Sequence, residues 1–324
     1  MRCYTPPRET TDREATMPDL PKRTLGRTGL EVTILGYGAR ELRGGKRGGR
    51  QVSEEDAGRI LNAVLDSGIN FIDTSIDYGP SEELIGRHIS HRRDEYYLAS
   101  KVGDLAGWTE TEKQPRAPHV FTRGNVIAGV EQSLRRMNTD HLDVVQVHDS
   151  PPKQVLERGG VVEAMQELQQ QGKVRFIGMS GMMPHLRDHI AMGVFDAFQI
   201  PYSCLDRQHE DAISEAAEAG AGILIRGGAA KGAPSDDERN RARGADAMSI
   251  WEKARLDDLL GDMSRMEFVM RFTAAHPDAS TNIVGTVNPD HLAANIEAVA
   301  RGPLPPDVYA EAKRRLAEAG TKPA

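Results

Sequence analysis

Four side chains at the ends of predicted strands could together carry out acid–base chemistry on a carbonyl group. They are Asp73 and Tyr78 in FIDTSIDYG, Lys101 in YYLASKVG and His148 in LDVVQVHD. A phenol is a poor acid at neutral pH because its reference pKa is about 10. A neighbouring ammonium group stabilises the phenolate and lowers that pKa, a carboxylate holds the ammonium group in place, and an imidazole can orient the same oxygen. The set therefore predicts proton transfer to a carbonyl oxygen, with the hydride supplied by a cofactor.

Each of these side chains also has a structural interpretation. Asp73 could brace the end of its strand, Lys101 could extend along apolar surface to solvent, and His148 could lie at the edge of the core. Tyr78 could be a packing aromatic, although it precedes Gly-Pro-Ser in a predicted loop. The catalytic interpretation depends on the joint pattern and not on any single residue.

The composition restricts the class of protein. The 324 residues are 39% hydrophobic and 27% charged with a net charge of −7, which predicts a sizeable core and argues against a chain-wide nucleic-acid surface. No apolar stretch is long enough to span a membrane, and no pair of histidines has the spacing of a zinc site, so we expect no nucleic-acid partner, no membrane partner and no metal. The two cysteines, Cys3 and Cys204, lie in unrelated contexts. Low cysteine content favours a reducing compartment, and we expect a cytoplasmic protein.

Elements that can position the four groups alternate along the chain. Residues 1–20 lack periodicity and are predicted to be a flexible extension, and KRTLGRTGLEV then predicts a hairpin with a turn at Arg27–Gly29. Strands are predicted at 34–39, 70–75, 96–102, 142–148, 175–180, 197–201, 222–227 and 281–286. Helices are predicted at 53–67, 81–91, 122–137, 159–171, 185–192, 209–219, 263–275, 288–300 and 306–319. Eight strand–helix units in order predict an α/β fold of the (β/α)8 TIM barrel type, with an N-terminal β-hairpin and an extra C-terminal helix, as a single domain over 21–320.

Three connections, at 40–52, 103–121 and 228–262, are too long to be simple turns. All follow strands, so they are expected at the carboxyl-terminal face, where barrel enzymes bind their substrates. The basic, glycine-rich segment 40–52 could be a solvated loop or could grip a phosphate. Trp108 and Phe121, in the second connection, could line an apolar substrate wall or could anchor the loop.

The chain resembles the aldo-keto reductases from about Arg23 to Leu316. The resemblance rests on ordered landmarks: LGRTGLEVTILGYGA, GINFIDTSIDYGPSEELIGRHI, YLASKVG, SLRRMNTDHLDVVQVHD, GKVRFIGMS, FQIPYSCLDRQ and IVGTVNPDHLAANI. It implies a TIM barrel that binds a nicotinamide cofactor, usually NADP(H), without a Rossmann fold. It also implies that Asp73, Tyr78, Lys101 and His148 form a catalytic tetrad in which Tyr78 is the general acid in reduction and the general base in oxidation.

The resemblance further implies a cofactor site. The positions are Gly38, Ala39, Asp73, Ser180, Gln199, Arg226, Gly285, Thr286, His291 and Asn295. Ser180 and Gln199 correspond to positions that hold the nicotinamide carboxamide, and the residues from Gly285 to Asn295 correspond to the adenosine-phosphate clamp. The entry of a loop into a helix N-terminus offers free N–H groups to a phosphate in any case.

Three departures from the family pattern affect this cofactor site. Gly181 stands where Asn is frequent, and Arg226 stands where an aromatic residue commonly stacks on the nicotinamide. Val287 stands where related proteins often place Arg, and His291 stands where Arg or Gln is usual. We therefore expect a weakened grip on a 2′-phosphate: the resemblance favours NADP(H), and NAD(H) remains an alternative.

The leading functional prediction is an NAD(P)H-dependent reductase that interconverts small aldehydes or ketones and alcohols. Two alternatives remain open. One is an NAD-dependent sugar or polyol dehydrogenase, which the altered phosphate clamp suggests. The other is a cofactor-binding regulatory subunit without turnover, which the substitutions at Gly181 and Arg226 suggest. The substrate, the direction of the reaction and the choice between monomer and homo-oligomer are not specified by the sequence.

Overall fold

A closed barrel of parallel strands organises the chain. The structure, a computed structural model, describes residues 19–44, 51–109, 116–229 and 247–324. Two short strands come first and form an antiparallel hairpin, β1 Lys22–Thr24 and β2 Glu31–Thr33. The barrel strands are β3 Leu35–Gly38, β4 Phe71–Asp73, β5 Tyr97–Val102, β6 Leu142–Val147, β7 Val174–Met179, β8 Ala197–Pro201, β9 Gly222–Arg226 and β10 Thr281–Val284. Each pairs in parallel with the next along the chain, and β10 closes the barrel against β3.

Helices surround the barrel and cover its outer surface. They are α1 Glu54–Asp66, α2 Ser81–Ile89, α3 Arg123–Met137, α4 Lys153–Gly159, α5 Val161–Gln170, α6 Leu186–Ala191, α7 Glu210–Glu218, α8 over 247–253 within the described residues, α9 Arg265–Ala274, α10 Pro289–Ala300 and α11 Pro306–Glu318. Because helices cover the sheet from outside and side chains fill it from inside, strands such as LDVVQV are buried at every position. The predicted (β/α)8 barrel, the hairpin and the C-terminal helix are all confirmed.

The hairpin closes the amino-terminal end of the barrel. Leu25, Leu30 and Val32 are buried and form a cluster with barrel residues that include Phe71 and Leu224. The other end of the barrel, where the strands finish, is left to the loops that carry the predicted chemistry.

All eight predicted barrel strands are present, and only their terminal residues differ from the prediction. Ser53 and Thr122 cap α1 and α3, since their side chains accept hydrogen bonds from the backbone N–H groups of Asp56 and Asn125. Ser81 does not cap α2. It is the first residue of that helix, and its hydroxyl donates to the carbonyl oxygen of Ala39 instead.

Two helices, α4 and α8, were not predicted from the sequence. Helix α4 lies between the predicted strand 142–148 and the predicted helix 159–171, and α8 lies in the connection 228–262. The 1–20 extension falls almost wholly outside the described residues, although Leu20 itself is buried in the main core. Parts of the three long connections, 45–50, 110–115 and 230–246, also lie outside them. Within the described ranges, no helix combines the length and apolarity needed to cross a membrane.

Candidate active site

The four predicted acid–base groups converge at the carboxyl-terminal end of the barrel. Asp73 is the last residue of β4, Lys101 is next to last in β5, and His148 directly follows β6. Tyr78 lies in the loop between β4 and α2, where the N–H of Tyr78 donates to the carbonyl oxygen of Ser75 at 3.0 Å. Neighbouring parallel strands end side by side, so their terminal side chains meet above the barrel.

A buried ion pair forms the centre of this set. Lys101 Nζ donates to Asp73 Oδ2 at 2.6 Å and to the carbonyl oxygen of Thr74 at 2.8 Å, and the Lys101 side chain is only 1% exposed. Burial lowers the pKa of Lys101, but the charges of Asp73 and Tyr78 and the hydrogen bond to Asp73 outweigh it, so the pKa is raised overall. The ammonium group is therefore charged at neutral pH and fixed in position.

Tyr78 lies against this ammonium group. Lys101 Nζ is 5.1 Å from the centre of the Tyr78 ring, and the ring meets that of His148 edge-on with centres 6.1 Å apart. The sequence led us to expect a lowered pKa for Tyr78. In the structure burial raises that pKa more than the charges of Lys101, Arg40 and Arg226 lower it, so the hydroxyl is more firmly protonated than a free phenol.

His148 is held by a carboxylate that the sequence analysis missed. Its Nδ1 lies 2.8 Å from Oδ2 of Asp104, a residue only 1% exposed. A second imidazole, that of His119, lies 3.3 Å from the other oxygen of Asp104 and 2.7 Å from Asp149. Asp104 and His119 are brought together by an isolated antiparallel bridge.

Two amides complete the surroundings of Asp73. Gln146 and Gln199 each donate from Nε2 to Asp73 Oδ1 at 2.9 Å, and Ser180 Oγ lies 3.4 Å from Oε1 of Gln199. All are buried, and Oε1 of Gln146 has no partner among the described residues. Buried amide and hydroxyl groups of this kind, with unused hydrogen-bonding capacity, suit the carboxamide of a nicotinamide ring.

Gly181, which follows Ser180, has little room for a side chain. A Cβ atom there would lie 2.7 Å from Cδ1 of Leu186, which is itself fully buried. The Asn expected at this position from the resemblance would thus require Leu186 to move. The site supplies no side-chain amide at this position.

Arg226 ends β9 close to the same centre. Its half-buried guanidinium group contacts Sδ of Met182 at 3.8 Å, and its Nε has no hydrogen-bond partner among the described residues. Burial lowers the pKa of Arg226, and the charges of Tyr78, Asp149 and Asp73 oppose that effect. Within the described part of the chain, no carboxylate forms an ion pair with it, so its charge remains available to a bound molecule.

The predicted phosphate-binding residues surround the start of α10. Tyr37 donates from its hydroxyl to the carbonyl oxygen of Thr286 at 2.9 Å, and Asn288 caps the helix by accepting from the N–H of Asp290. No hydrogen bond of the described residues uses the N–H of His291, so it is free to meet an anion at the helix N-terminus. The His291 side chain is exposed, whereas Asn295 is 8% exposed.

The ends of β3 and β10 approach each other closely beside that helix. A Cβ atom on Gly285 would lie 2.6 Å from the carbonyl oxygen of Gly38, and one on Gly38 would lie 2.9 Å from Cγ2 of Ile283. Ala39 follows, is buried, and accepts the hydrogen bond from Ser81. A side chain on Gly285 would collide with the facing backbone, and one on Gly38 would collide with the Ile283 side chain. The bare backbone that results suits a bound dinucleotide.

Trp108 and Phe121 hold the segment after β5. The Phe121 ring covers Gly103, where a Cβ atom would lie 2.5 Å from its Cε1 atom, and it lies 5.8 Å from the His119 ring. The backbone N–H of Trp108 donates to the carbonyl oxygen of Leu105 at 3.2 Å. These contacts anchor the loop, and a role of either ring in binding substrate remains a prediction.

Two functional side chains could not be found from the motifs. Gln146 had a usable signal, since it is a polar residue after two valines in a largely apolar strand, two positions before His148, and so lies on the same face. Asp104 had none, because its role depends on the pairing of β5 with β6. Among the described residues, no group of three His, Cys, Asp or Glu side chains is placed to hold a metal ion.

Comparison with known proteins extends these observations. The family model described as the Aldo/keto reductase family matches residues 34–316. An uncharacterised oxidoreductase, YqkF, of Bacillus subtilis is 27% identical over 86% of this chain and 90% of its own. Pyridoxal 4-dehydrogenase of Microbacterium luteolum is 28% identical over 85% of this chain and 92% of its own. The holo structure of aldo-keto reductase AKR11C1 from Bacillus halodurans is 25% identical with a TM-score of 0.77, covering 94% of this chain and 98% of its own.

Proposed function

Since the chain belongs to the aldo-keto reductase family, whose members are NAD(P)H-dependent oxidoreductases, we propose that it interconverts small aldehydes or ketones and alcohols. In this proposal Tyr78 donates the proton in reduction, and Asp73, Lys101 and His148 act with it. The observation that carries the proposal is the position of Lys101, whose ammonium group lies between the Asp73 carboxylate at 2.6 Å and the Tyr78 ring at 5.1 Å.

The mechanism follows from the charges around the phenol. With its pKa raised by burial, Tyr78 keeps its proton at neutral pH and can give it to an oxygen that is becoming an alkoxide. The phenolate left behind lies beside the charged Lys101, which stabilises it. Asp73 holds that ammonium group, and its own charge is compensated by three hydrogen-bond donors. The groups are preorganised, so no rearrangement is needed as charge develops.

The buried amides and the free helix N-terminus fit a nicotinamide dinucleotide. When bound, this cofactor would supply or accept the hydride. Ser180 and Gln199 would hold its carboxamide, with Gly38 and Ala39 beside it. Gly285, Thr286, His291 and Asn295 would hold its adenosine phosphates, and Arg226 would stack its planar guanidinium group on the ring.

We propose NADP(H) as the preferred cofactor and NAD(H) as the alternative. His291 is exposed at the first turn of α10 and is the one basic side chain there, so the 2′-phosphate would have a single adjustable partner besides backbone groups. If NAD(H) binds better, the second candidate function, oxidation of sugars or polyols, becomes the better account. One relative is a pyridoxal 4-dehydrogenase.

A binding subunit without turnover is the third candidate. The substitution to Gly181 and the charge of Arg226 support it, because both alter the surroundings expected for the nicotinamide ring. The geometry of the acid–base groups argues against it. A protein with no proton to transfer has no need to bury Lys101 against Asp73 beside a tyrosine.

The test combines binding with turnover. NADPH and NADH are titrated separately into the protein, and tryptophan fluorescence and calorimetry follow binding. Tyr78→Phe should keep the dissociation constants of the cofactors and lower kcat for aldehyde reduction about 10²- to 10⁴-fold, the usual contribution of a general acid. Turnover unchanged by the substitution would rule out Tyr78 as proton donor, and binding of neither cofactor would remove the oxidoreductase proposal.

A further inference from the structure

The buried Asp104–His148 pair constrains where the hydrogens of His148 lie. The backbone N–H of His148 donates to the carbonyl oxygen of Val102 at 2.8 Å, which places the His148 side chain beside the segment that follows β5. Nδ1 of His148 then faces Asp104 Oδ2 at 2.8 Å. The Asp104 side chain is 1% exposed and that of His148 is 14% exposed, so solvent screens this contact poorly.

An ionised carboxylate can only accept hydrogen bonds, so Nδ1 must carry the hydrogen and Nε2 is left to face the substrate. In the singly protonated ring, Nε2 would present a lone pair to a carbonyl oxygen, which is itself an acceptor. Only the doubly protonated ring can donate from Nε2 to that oxygen. Reduction of a carbonyl group therefore needs the second proton.

Asp104 is buried, and His148 is its nearest partner. The Oδ1 atom of Asp104 makes no hydrogen bond among the described residues, and His119, although 3.3 Å from it, lies closer to the exposed Asp149 at 2.7 Å. Lys101 is paired with Asp73. The hydrogen bond with Nδ1 of His148, at 2.8 Å, is therefore the principal side-chain contact of the Asp104 carboxylate among the described residues.

We propose that Asp104 is a positioning residue, which fixes the orientation of the His148 ring with hydrogen on Nδ1, so that Nε2 faces the carbonyl oxygen of the substrate and, in the doubly protonated ring, donates to it. This inference rests on the proposed function, since it assigns a donor to the oxygen that Tyr78 protonates. The proton that moves in reduction is that of Tyr78. His148 keeps both of its own and only hydrogen-bonds the oxygen.

The groups around the ring show what the substitution Asp104→Asn would change. Tyr78 packs edge-on against the ring, and His119 faces it across Asp104. Asparagine keeps the shape of Asp104, but its amide group can donate hydrogen bonds as well as accept them. Asp104→Asn therefore removes the constraint that holds hydrogen on Nδ1.

The first experiment reads the ring directly and needs no turnover. In protein labelled with ¹⁵N-histidine, with the His148 signals identified by their loss in His148→Gln, Nδ1 of the wild type should carry a hydrogen. In Asp104→Asn, Nδ1 should carry it in only part of the molecules. A His148 ring with hydrogen on Nε2 alone would overturn the proposal.

The second experiment measures coupling. Asp104→Asn should lower kcat/KM for an aldehyde about 10- to 100-fold, as removal of a group that orients a functional histidine does at metal sites, with unchanged cofactor affinity. Asp104→Glu should restore part of the loss, and Asp104→Asn should add little in the His148→Gln background. Independent, additive losses would show that Asp104 does not act through His148 and would overturn the proposal. Absence of any turnover in the wild type would instead contradict the proposed function, while the ring measurement would still decide the role of Asp104.

Discussion

Lys101 controls how readily Tyr78 changes its protonation state. Its ammonium group is the largest influence that lowers the pKa of Tyr78 against the effect of burial. In the proposed mechanism, the same group would stabilise the phenolate that forms in reduction and that must be present at the start of oxidation. One side chain would then connect the two directions of the reaction.

Replacing Lys101 by Met should make this visible as a pH shift. Without the ammonium group the pKa of Tyr78 rises further, so the phenolate needed to accept the proton of an alcohol forms only at higher pH. We expect the rise of kcat/KM for alcohol oxidation with pH to move upward by about one to three units. Steady-state rates between pH 6 and the alkaline limit of folding measure it.

Asp73→Asn provides the matched comparison for this prediction. It keeps Lys101 but removes the carboxylate that raises the pKa of Tyr78, so its profile should not move upward as that of Lys101→Met does. Both variants leave an unpaired buried group, and circular dichroism establishes that they fold. Identical profiles for the wild type and Lys101→Met would contradict the assignment of Lys101.

The residues of the site differ in how well the sequence predicts them. Asp73, Lys101 and His148 could be placed together because each ends a strand of a barrel, and strand order alone brings strand ends together. The raised pKa of Tyr78 could not be predicted, because it depends on how far burial outweighs the charges of three cations. Asp104 was missed for a similar reason: its contact with His148 requires the register Val102↔Val147 between β5 and β6.

At the scale of elements, the hairpin β1–β2 supports the barrel from the end opposite the site. Leu25 is fully buried, and a Cβ atom on Gly222 would lie 2.5 Å from its side chain. The N–H of Arg27 donates to the carbonyl oxygen of Gly220 at 2.8 Å, which ties the turn to the start of β9. The hairpin therefore contributes stability and not chemistry.

Leu25→Ala should lower the free energy of unfolding by about 2–5 kcal/mol, since a fully buried leucine leaves a cavity when truncated. The kcat per folded molecule should be unchanged, because the substitution lies at the amino-terminal end of the barrel. Urea unfolding and active-site titration with cofactor measure the two quantities. Lys22→Ala, at an exposed position of the same hairpin, should change stability by less than about 0.5 kcal/mol. A loss of kcat in Leu25→Ala at full folding would show that the hairpin influences the site.

Elements with strong apolar periodicity were predicted, and those without it were missed. The hairpin and the eight barrel strands had clear alternation or apolar runs bounded by turn residues. Helix α4 follows two prolines and buries only Leu156. Gly160, which has a φ of 61°, follows its last residue and directly precedes α5. So short a helix with one buried residue has no detectable period, and its stability comes from the packing around it.

At the scale of the whole molecule, binding of a cofactor would connect β3, β7, β8, β9 and α10. The residues proposed to hold it, from Gly38 to Asn295, are spread over most of the chain. A ligand that binds only the folded state stabilises it by RT ln(1 + [L]/Kd), which is about 2.7 kcal/mol at a concentration of 100 Kd. Thermal unfolding therefore reports cofactor choice without any knowledge of the substrate.

With NADPH at saturating concentration, we expect the apparent Tm to rise by roughly 5 °C. A stabilisation of about 1 kcal/mol raises the Tm by about 2–4 °C in domains of 150–250 residues and by less in a longer chain. NADH at the same concentration should give a smaller rise.

His291→Arg should enlarge the response to NADPH, because a guanidinium group at the first turn of α10 can form paired hydrogen bonds with the 2′-phosphate. It should leave the response to NADH unchanged, since that cofactor carries no phosphate there. Glu297→Gln, at an exposed position on the same helix, changes the net charge by the same amount and should alter neither response. If His291→Arg shifted both cofactors equally, the effect would be general electrostatic attraction, and the phosphate clamp would have to lie elsewhere.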